Sequence, residues 1–182
     1  VLDEKPSYLW FLATYGTTSG QTGRFANEIM QEKGLSFAAY LSVKMPDTWT
    51  PTFDLSDPQK VRRINLNAEP EIDFAIEKIQ SRSSGDYMRN KVPTLAAKAF
   101  YGLEYGKMRK TDHFRVESSC IGCGLCARNC PVQAIEMQDK HPVWVKEQCV
   151  MCLSCLHHCP KFAIQYGNRT KKHGQYTNPN VK

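Results

Sequence analysis

Hydrophobic positions near the start of the chain form a run, then a periodic stripe, then a second run. Residues 8–13 are continuously apolar, which is typical of a parallel strand buried on both faces. Residues 22–33 space their apolar side chains as one face of a helix, and Gly34 follows where a helix end is expected. A second strand is predicted over residues 35–43. Together these elements predict a βαβ unit and therefore α/β architecture.

The middle of the chain carries weaker patterns. Residues 45–58 contain three prolines and are predicted to form an irregular loop. Two helices are predicted next, over residues 59–67 and 69–82, with Pro70 near the start of the second helix. Residues 81–91 are polar and are predicted to be a linker.

The second half begins with a predicted helix over residues 93–108. Short strands are then predicted: one starts at Phe114, and residues 135–137 pair with 143–145 as a hairpin. Residues 162–166 are expected to close this part of the fold. The basic, polar tail has few apolar residues and is expected to lie over another surface.

All eight cysteines fall in two blocks of identical spacing. Each block reads Cys-x2-Cys-x2-Cys-x3-Cys-Pro, and the second repeats the first at an offset of 29 residues. The first block is Cys120, Cys123, Cys126 and Cys130, and the second is Cys149, Cys152, Cys155 and Cys159. Gaps of two residues let neighbouring thiolates converge on one compact cluster. Gly122 and Gly124 suit such a loop. Met151 and Leu153 stand at the matching places and predict a more restricted second loop.

This spacing resembles that of bacterial ferredoxins with two [4Fe–4S] clusters, in which the fourth cysteine of each run crosses to the other cluster. The resemblance implies that one cluster is held by Cys120, Cys123, Cys126 and Cys159. It implies that the other is held by Cys149, Cys152, Cys155 and Cys130.

Structural zinc is the main alternative, since four-cysteine zinc sites also use Cys-x2-Cys pairs. Zinc sites usually join two separated pairs, however, and do not need a long run that is repeated. Disulfides fit less well, because dense thiols with no cysteine elsewhere indicate metal binding in a reducing compartment. We therefore favour iron–sulfur clusters and expect a cytoplasmic protein.

The formal net charge of +6 counts the cysteines as neutral. Each cluster with its four thiolates adds a charge of about −2 when oxidised, so the loaded protein is nearer neutrality. The charge is therefore weak evidence for a nucleic-acid partner, and none is expected. No apolar run has the length of a membrane span.

The loop after the first strand is rich in hydroxyl groups and glycine. Because it precedes a helix N-terminus, its residues 17–22 look like a phosphate loop of flavodoxins. The alternative is a connecting loop that binds no ligand.

The chain also resembles a family of flavodoxin-like/ferredoxin fusion proteins, the EFR-type ferrodoxins. The resemblance rests on residues 13–16, 33–35, 43–46, 142–144, 164–167 and 170–179, together with both cysteine blocks. It implies that Thr14, Tyr15, Gly16 and Thr17 border the ring of an FMN. The local residues favour phosphate contact instead, and both placements stay open. Tyr15 and Trp49 are candidates for flavin stacking, with ordinary packing the alternative.

The predicted fold class is α/β, partial flavodoxin-like, joined to an α+β dicluster ferredoxin domain of the bacterial type. The predicted domains are a flavodoxin-like part over residues 1–85, a helical linker over 86–112, the ferredoxin domain over 113–168 and a basic tail over 169–182. Two strands cannot form a five-stranded sheet. The resemblance therefore predicts that an N-terminal flavodoxin segment is missing or is supplied by another chain.

The function predicted from these patterns is electron transfer through two [4Fe–4S] clusters, coupled to FMN and serving redox protein partners. One alternative is a flavin-dependent oxidoreductase that reduces a small substrate, and another is a zinc-stabilised binding module. No acid–base pair or nucleophile indicates a catalytic residue. His157 and His158 are expected to be exposed on a short turn, and Trp144 to cover the clusters.

Overall fold

A computed structural model describes residues 6–180. The polar start of the chain, residues 1–5, is expected from the sequence to be frayed and lies outside the described residues. The described chain forms two compact units, one made of residues 6–47 and 59–99, the other of 48–58 and 100–180. Residues 86–99 thus belong to the first unit, and the proline-rich stretch 48–58 belongs to the second.

The first unit is built on a parallel sheet. Strand β1 (Trp10–Tyr15), helix α1 (Thr22–Gln31) and strand β2 (Ala39–Lys44) confirm the predicted βαβ unit. The two strands pair in parallel, with Trp10 opposite Ala39. Residues of β2 are largely buried, whereas β1 is mostly half-exposed and Trp10 is 44% exposed. The prediction that the first strand is buried on both faces is therefore wrong, because β1 lies at an edge of the described sheet.

A single helix, α2 (Pro58–Gln80), replaces the two helices predicted from the sequence. Pro70 lies inside it, although proline removes one backbone hydrogen bond from a helix interior. Tertiary contacts hold the helix on both sides of this position. Ala68 and Ala75 are buried, and Glu71 accepts a hydrogen bond of 2.7 Å from the backbone N–H of Lys44.

The stretch predicted as a linker contains a third strand, β3 (Gly85–Asp86). It pairs in parallel with Ala39 and Tyr40 of β2, which makes β2 the central strand. Glycine and aspartate have low strand propensity, so sequence pattern gave no sign of this pairing.

The predicted helix over residues 93–108 is confirmed in extent. It consists of α3 (Thr94–Phe100), one π-helical stretch (Tyr101–Tyr105) and α4 (Gly106–Met108).

The second unit holds both cysteine blocks. Its elements are β4 (Phe114–Val116), α5 (Leu125–Arg128), β5 (Ile135–Gln138), β6 (His141–Trp144), α6 (Ser154–His157), β7 (Ile164–Tyr166) and α7 (Thr170–His173). The antiparallel hairpin β5–β6 is as predicted, and β4 pairs with β7. Each pair thus joins a strand from one repeat to a strand from the other.

The core of this unit is small, and several aromatic side chains pack around it. Leu153, Leu156, Ile164 and Tyr166 are buried, and partly buried side chains pack around them. Among these is Trp49, whose ring centroid is 6.0 Å from that of Tyr166. The irregular stretch 48–58 is therefore part of the core of the unit.

Candidate metal centres

Two cavities in the second unit are lined by cysteine. The cysteines of the first are Cys120, Cys123, Cys126 and Cys159. Apolar groups from Ile121, Leu125, Met137, Pro142 and Ile164 complete most of its wall.

The cysteines of the second cavity are Cys130, Cys149, Cys152 and Cys155. Phe114, Ile135, Trp144 and Leu153 contribute to its wall. Each cavity thus takes three cysteines from one block and the fourth from the other. The structure brings together the same two sets that the ferredoxin resemblance implies.

The two cysteine loops have the same backbone shape. Gly122 and Gly124 have φ values of +64° and +72°, and the matching Met151 and Leu153 have +51° and +53°. The second loop therefore adopts the left-handed conformation without glycine, at a cost of about 1–2 kcal/mol per residue. Gly122 has an additional constraint, since a Cβ there would lie 2.7 Å from the carbonyl oxygen of Lys140.

Backbone N–H groups point at cysteine sulfur atoms. The N–H of Ala134 donates to Sγ of Cys130 at 3.2 Å, and the repeat-related Ala163 donates to Cys159 at 3.3 Å. The N–H of Met151 donates to Sγ of Cys149 at 3.3 Å. Such bonds stabilise negative charge on a thiolate or a cluster.

Burial makes several of these thiols weak acids in the metal-free chain. Desolvation raises the pKa of Cys126 and Cys149, and it raises the pKa of Cys155 to about 12. Neighbouring cysteines add to the shift in each case. A metal that binds here must therefore displace protons, which couples metal binding to pH.

Trp144 lies between the aromatic core and the second cavity. Its ring stacks on Phe114, with centroids 4.5 Å apart and planes inclined by 9°, and both rings line the cavity. The predicted covering role of Trp144 agrees with this position.

His157 is not on an exposed turn, and that prediction is wrong. The side chain is 6% exposed, its Nε2 donates to the carbonyl oxygen of Thr48 at 2.9 Å, and its Nδ1 accepts from the N–H of Tyr176 at 3.2 Å. Burial lowers the pKa of His157, so the neutral ring is favoured. His158 is exposed as expected.

The tail covers the second cysteine block. The side-chain amide of Gln175 donates to the carbonyl oxygens of Leu156 and Cys159, at 2.7 and 2.9 Å. Thr170 is fully buried and donates to Gln165 at 2.7 Å. The expectation that the tail lies over another surface agrees with these contacts, but its residues gave no sign of which surface it covers.

The four residues predicted to border FMN lie at the carboxyl end of β1, in the first unit. Thr14 is exposed, and Tyr15 is buried with its hydroxyl accepting from Asn90 at 3.0 Å. The side chain of Asp47 lies against Gly16, and its carboxylate accepts a hydrogen bond of 2.9 Å from the hydroxyl group of Thr17.

The adjacent hydroxyl groups are also engaged within the unit. Thr18 donates to the carbonyl oxygen of Asn90, and Ser19 donates to that of Arg89. A nearby carboxylate and engaged hydroxyl groups make this loop a poor phosphate site.

All eight cysteines are free thiols. Within residues 6–180, no three or more His, Cys, Asp or Glu side chains converge closely enough to hold a single metal ion. No helix in that range has the length and apolarity needed to cross a membrane.

Comparison with known proteins identifies the class of this region. Residues 109–166 match the family of 4Fe-4S dicluster domains. A stretch of 26 residues is 54% identical to Ferredoxin-1 of Rhodospirillum rubrum and covers 14% of this chain. The match spans about half, 47%, of the length of that ferredoxin. No solved structure matches the chain significantly. The chain therefore contains a ferredoxin-type 4Fe-4S dicluster domain within its second unit.

Proposed function

We propose that the protein transfers electrons through two [4Fe–4S] clusters. The observation that carries the proposal is the crossed grouping of thiols, in which each cavity collects three cysteines from one block and one from the other. One cluster is held by Cys120, Cys123, Cys126 and Cys159, and the other by Cys149, Cys152, Cys155 and Cys130. Each cluster, when bound, accepts and releases one electron at a time.

The residues around the cavities suit this role. Thiolates fix each cluster, and the N–H groups of Ala134 and Ala163 offset negative charge at the crossing cysteines. Apolar walls and the stacked pair Phe114–Trp144 limit the access of water. The crossed sets of four thiols, each drawn from a repeated Cys-x2-Cys-x2-Cys-x3-Cys run, favour a polynuclear cluster over a single zinc ion.

We extend the proposal to redox protein partners in a reducing cytoplasm, since the eight thiols are free and two of them, Cys123 and Cys152, are exposed. Coupling to FMN is the weaker part. The carboxyl end of β1 is a usual ligand position in α/β sheets. The engaged hydroxyl groups of its loop favour contact of Thr14, Tyr15 and Gly16 with a flavin ring over contact with a phosphate. The free edge of β1 would accept the further strands that such a domain needs.

Metal and flavin analysis of anaerobically purified protein tests the proposal. We expect about eight irons and eight sulfides per chain, with a coupled two-cluster EPR signal after reduction with dithionite. Two zinc ions and no sulfide would overturn electron transfer. Stoichiometric FMN would support the flavin coupling, and its absence would remove that part alone.

A further inference from the structure

The two halves of the internal repeat differ in what covers them. Helix α6 of the second block matches α5 of the first. In α6, Leu156 is 0% exposed and His157 is 6% exposed, because the tail and the stretch 48–58 lie on them. The matching Arg128 of α5 is exposed, and Ala127 is only partly covered. The fold therefore covers one repeat and leaves the corresponding face of the other open within residues 6–180.

The backbone acceptors of the two repeats show the same difference. The carbonyl oxygens of Leu156 and Cys159 accept from Gln175 as well as from their own turns. The matching oxygens of Ala127 and Cys130 accept turn bonds of 3.2 and 3.1 Å from backbone N–H groups. No side chain among residues 6–180 donates a second bond to them. The two repeats therefore also differ in the side-chain cover of these carbonyl groups.

Basic side chains lie around the first cavity. Lys161 lines the first cavity, and the backbone of Lys140 lies against Gly122. Arg128 donates through Nη1 to the carbonyl oxygen of Cys123 at 2.9 Å. All three cations are exposed.

Few carboxylate groups lie close enough to these three cations to offset their positive charge. Asp139 shares the turn of Lys140, and Glu117 is engaged by Lys171. Glu136 is exposed on β5, whereas its neighbour Met137 lines the first cavity, so the two side chains point to opposite faces. The face also exposes Ile121, at 59%, and Cys123 beside the cavity.

We propose that the surface around the first cavity, defined by Ile121, Cys123, Arg128, Lys140 and Lys161, docks an acidic redox protein. The inference rests on the proposed electron transfer and adds the point of exchange. One electron passes between the cluster bound by Cys120, Cys123, Cys126 and Cys159 and the partner, so one centre is oxidised as the other is reduced.

Rapid mixing of the reduced, cluster-loaded protein with an acidic flavodoxin tests the docking face. The test variant is Lys140→Gln with Lys161→Gln, which leaves the hydrogen bond of Arg128 intact. The matched control is Lys107→Gln with Lys172→Gln, which removes the same charge elsewhere in the unit. At low ionic strength we expect the test variant to lower the second-order rate constant about fivefold, and the control to change it by less than about twofold.

Two further sets of measurements serve as controls. Iron content and absorption spectrum should be the same in all three proteins, and the cationic acceptor hexaammineruthenium(III) should react no more slowly with the test variant. Midpoint potentials are measured for each protein so that rate constants are compared at equal driving force, because Lys161 lies at the first cavity. Equal slowing by both variants, or no slowing by the test variant, would overturn the docking face while leaving the clusters in place. Absence of iron and sulfide in the wild-type protein would instead overturn the proposed function.

Discussion

Nε2 of His157 lies 2.9 Å from the carbonyl oxygen of Thr48, although 109 positions separate the two residues in the chain. The opposite ring nitrogen accepts from the N–H of Tyr176, so one imidazole joins the stretch 48–58, helix α6 and the tail. Thr48 and Tyr176 both lie outside the stretch that matches dicluster domains, residues 109–166. The second cysteine block is thus held in part by two segments that lie outside the matched dicluster domain.

Removal of the Gln175 side chain should expose the second block. We expect Gln175→Ala to reduce the free energy of unfolding by about 1–2 kcal/mol, because the carbonyl oxygens of Leu156 and Cys159 lose a side-chain donor. The cluster in the first cavity, which Cys159 lines, should also be lost faster in air, which absorbance and EPR can follow. Asn178→Ala, with a local hydrogen bond only, should behave as wild type. Equal rates of cluster loss in both variants would show that the tail does not protect the site.

Crossed ligation makes a distinctive prediction for single cysteine variants. Cys159→Ser should lose the same cluster as Cys120→Ser, because both cysteines line the first cavity. The two residues nevertheless lie in different blocks. Cys149→Ser should lose the other cluster. We expect each variant to retain about four irons, with the first two sharing one EPR spectrum and the third giving another. A spectrum of Cys159→Ser that matched Cys149→Ser would contradict the crossing.

Gly122 should tolerate no side chain. Gly122→Ala combines a left-handed backbone with a contact of 2.7 Å to the carbonyl oxygen of Lys140. We expect a loss of about 1–3 kcal/mol in stability and a reduced iron content at the first cavity. Gly102→Ala is the control, because it lies in helical structure and nothing lies within 4 Å of its added Cβ. Thermal unfolding with iron analysis measures both, and equal stability would mean that the loop adjusts freely.

Removal of the clusters should affect the two units differently. The core of the second unit is Leu153, Leu156, Ile164 and Tyr166, next to two thiol-lined cavities. After acid extraction or chelation of iron, we expect hydrogen exchange to increase across residues 153–166 and to change little in β2. Strong protection of both regions in the iron-free chain would show that the second unit folds without metal.

Several parts of the structure followed from local pattern. The spacing of the cysteines, the hairpin β5–β6 and the βαβ unit depend on residues close together in sequence, and short-range rules describe them. Pro70 misled the prediction of α2, because contacts such as that of Glu71 with Lys44 outweigh its cost. The burial of His157 and Trp49 depends on partners about a hundred residues away. No local signal can reveal such partners.

The crossed grouping of cysteines has a consequence for synthesis on the ribosome. A nascent chain that ends before Cys149 contains three thiols of the first cavity but only one of the second. The first set is completed only when Cys159 emerges, after the second set has been completed at Cys155. Neither centre can then be filled before the second block is made, so cofactor insertion must follow the synthesis of both blocks.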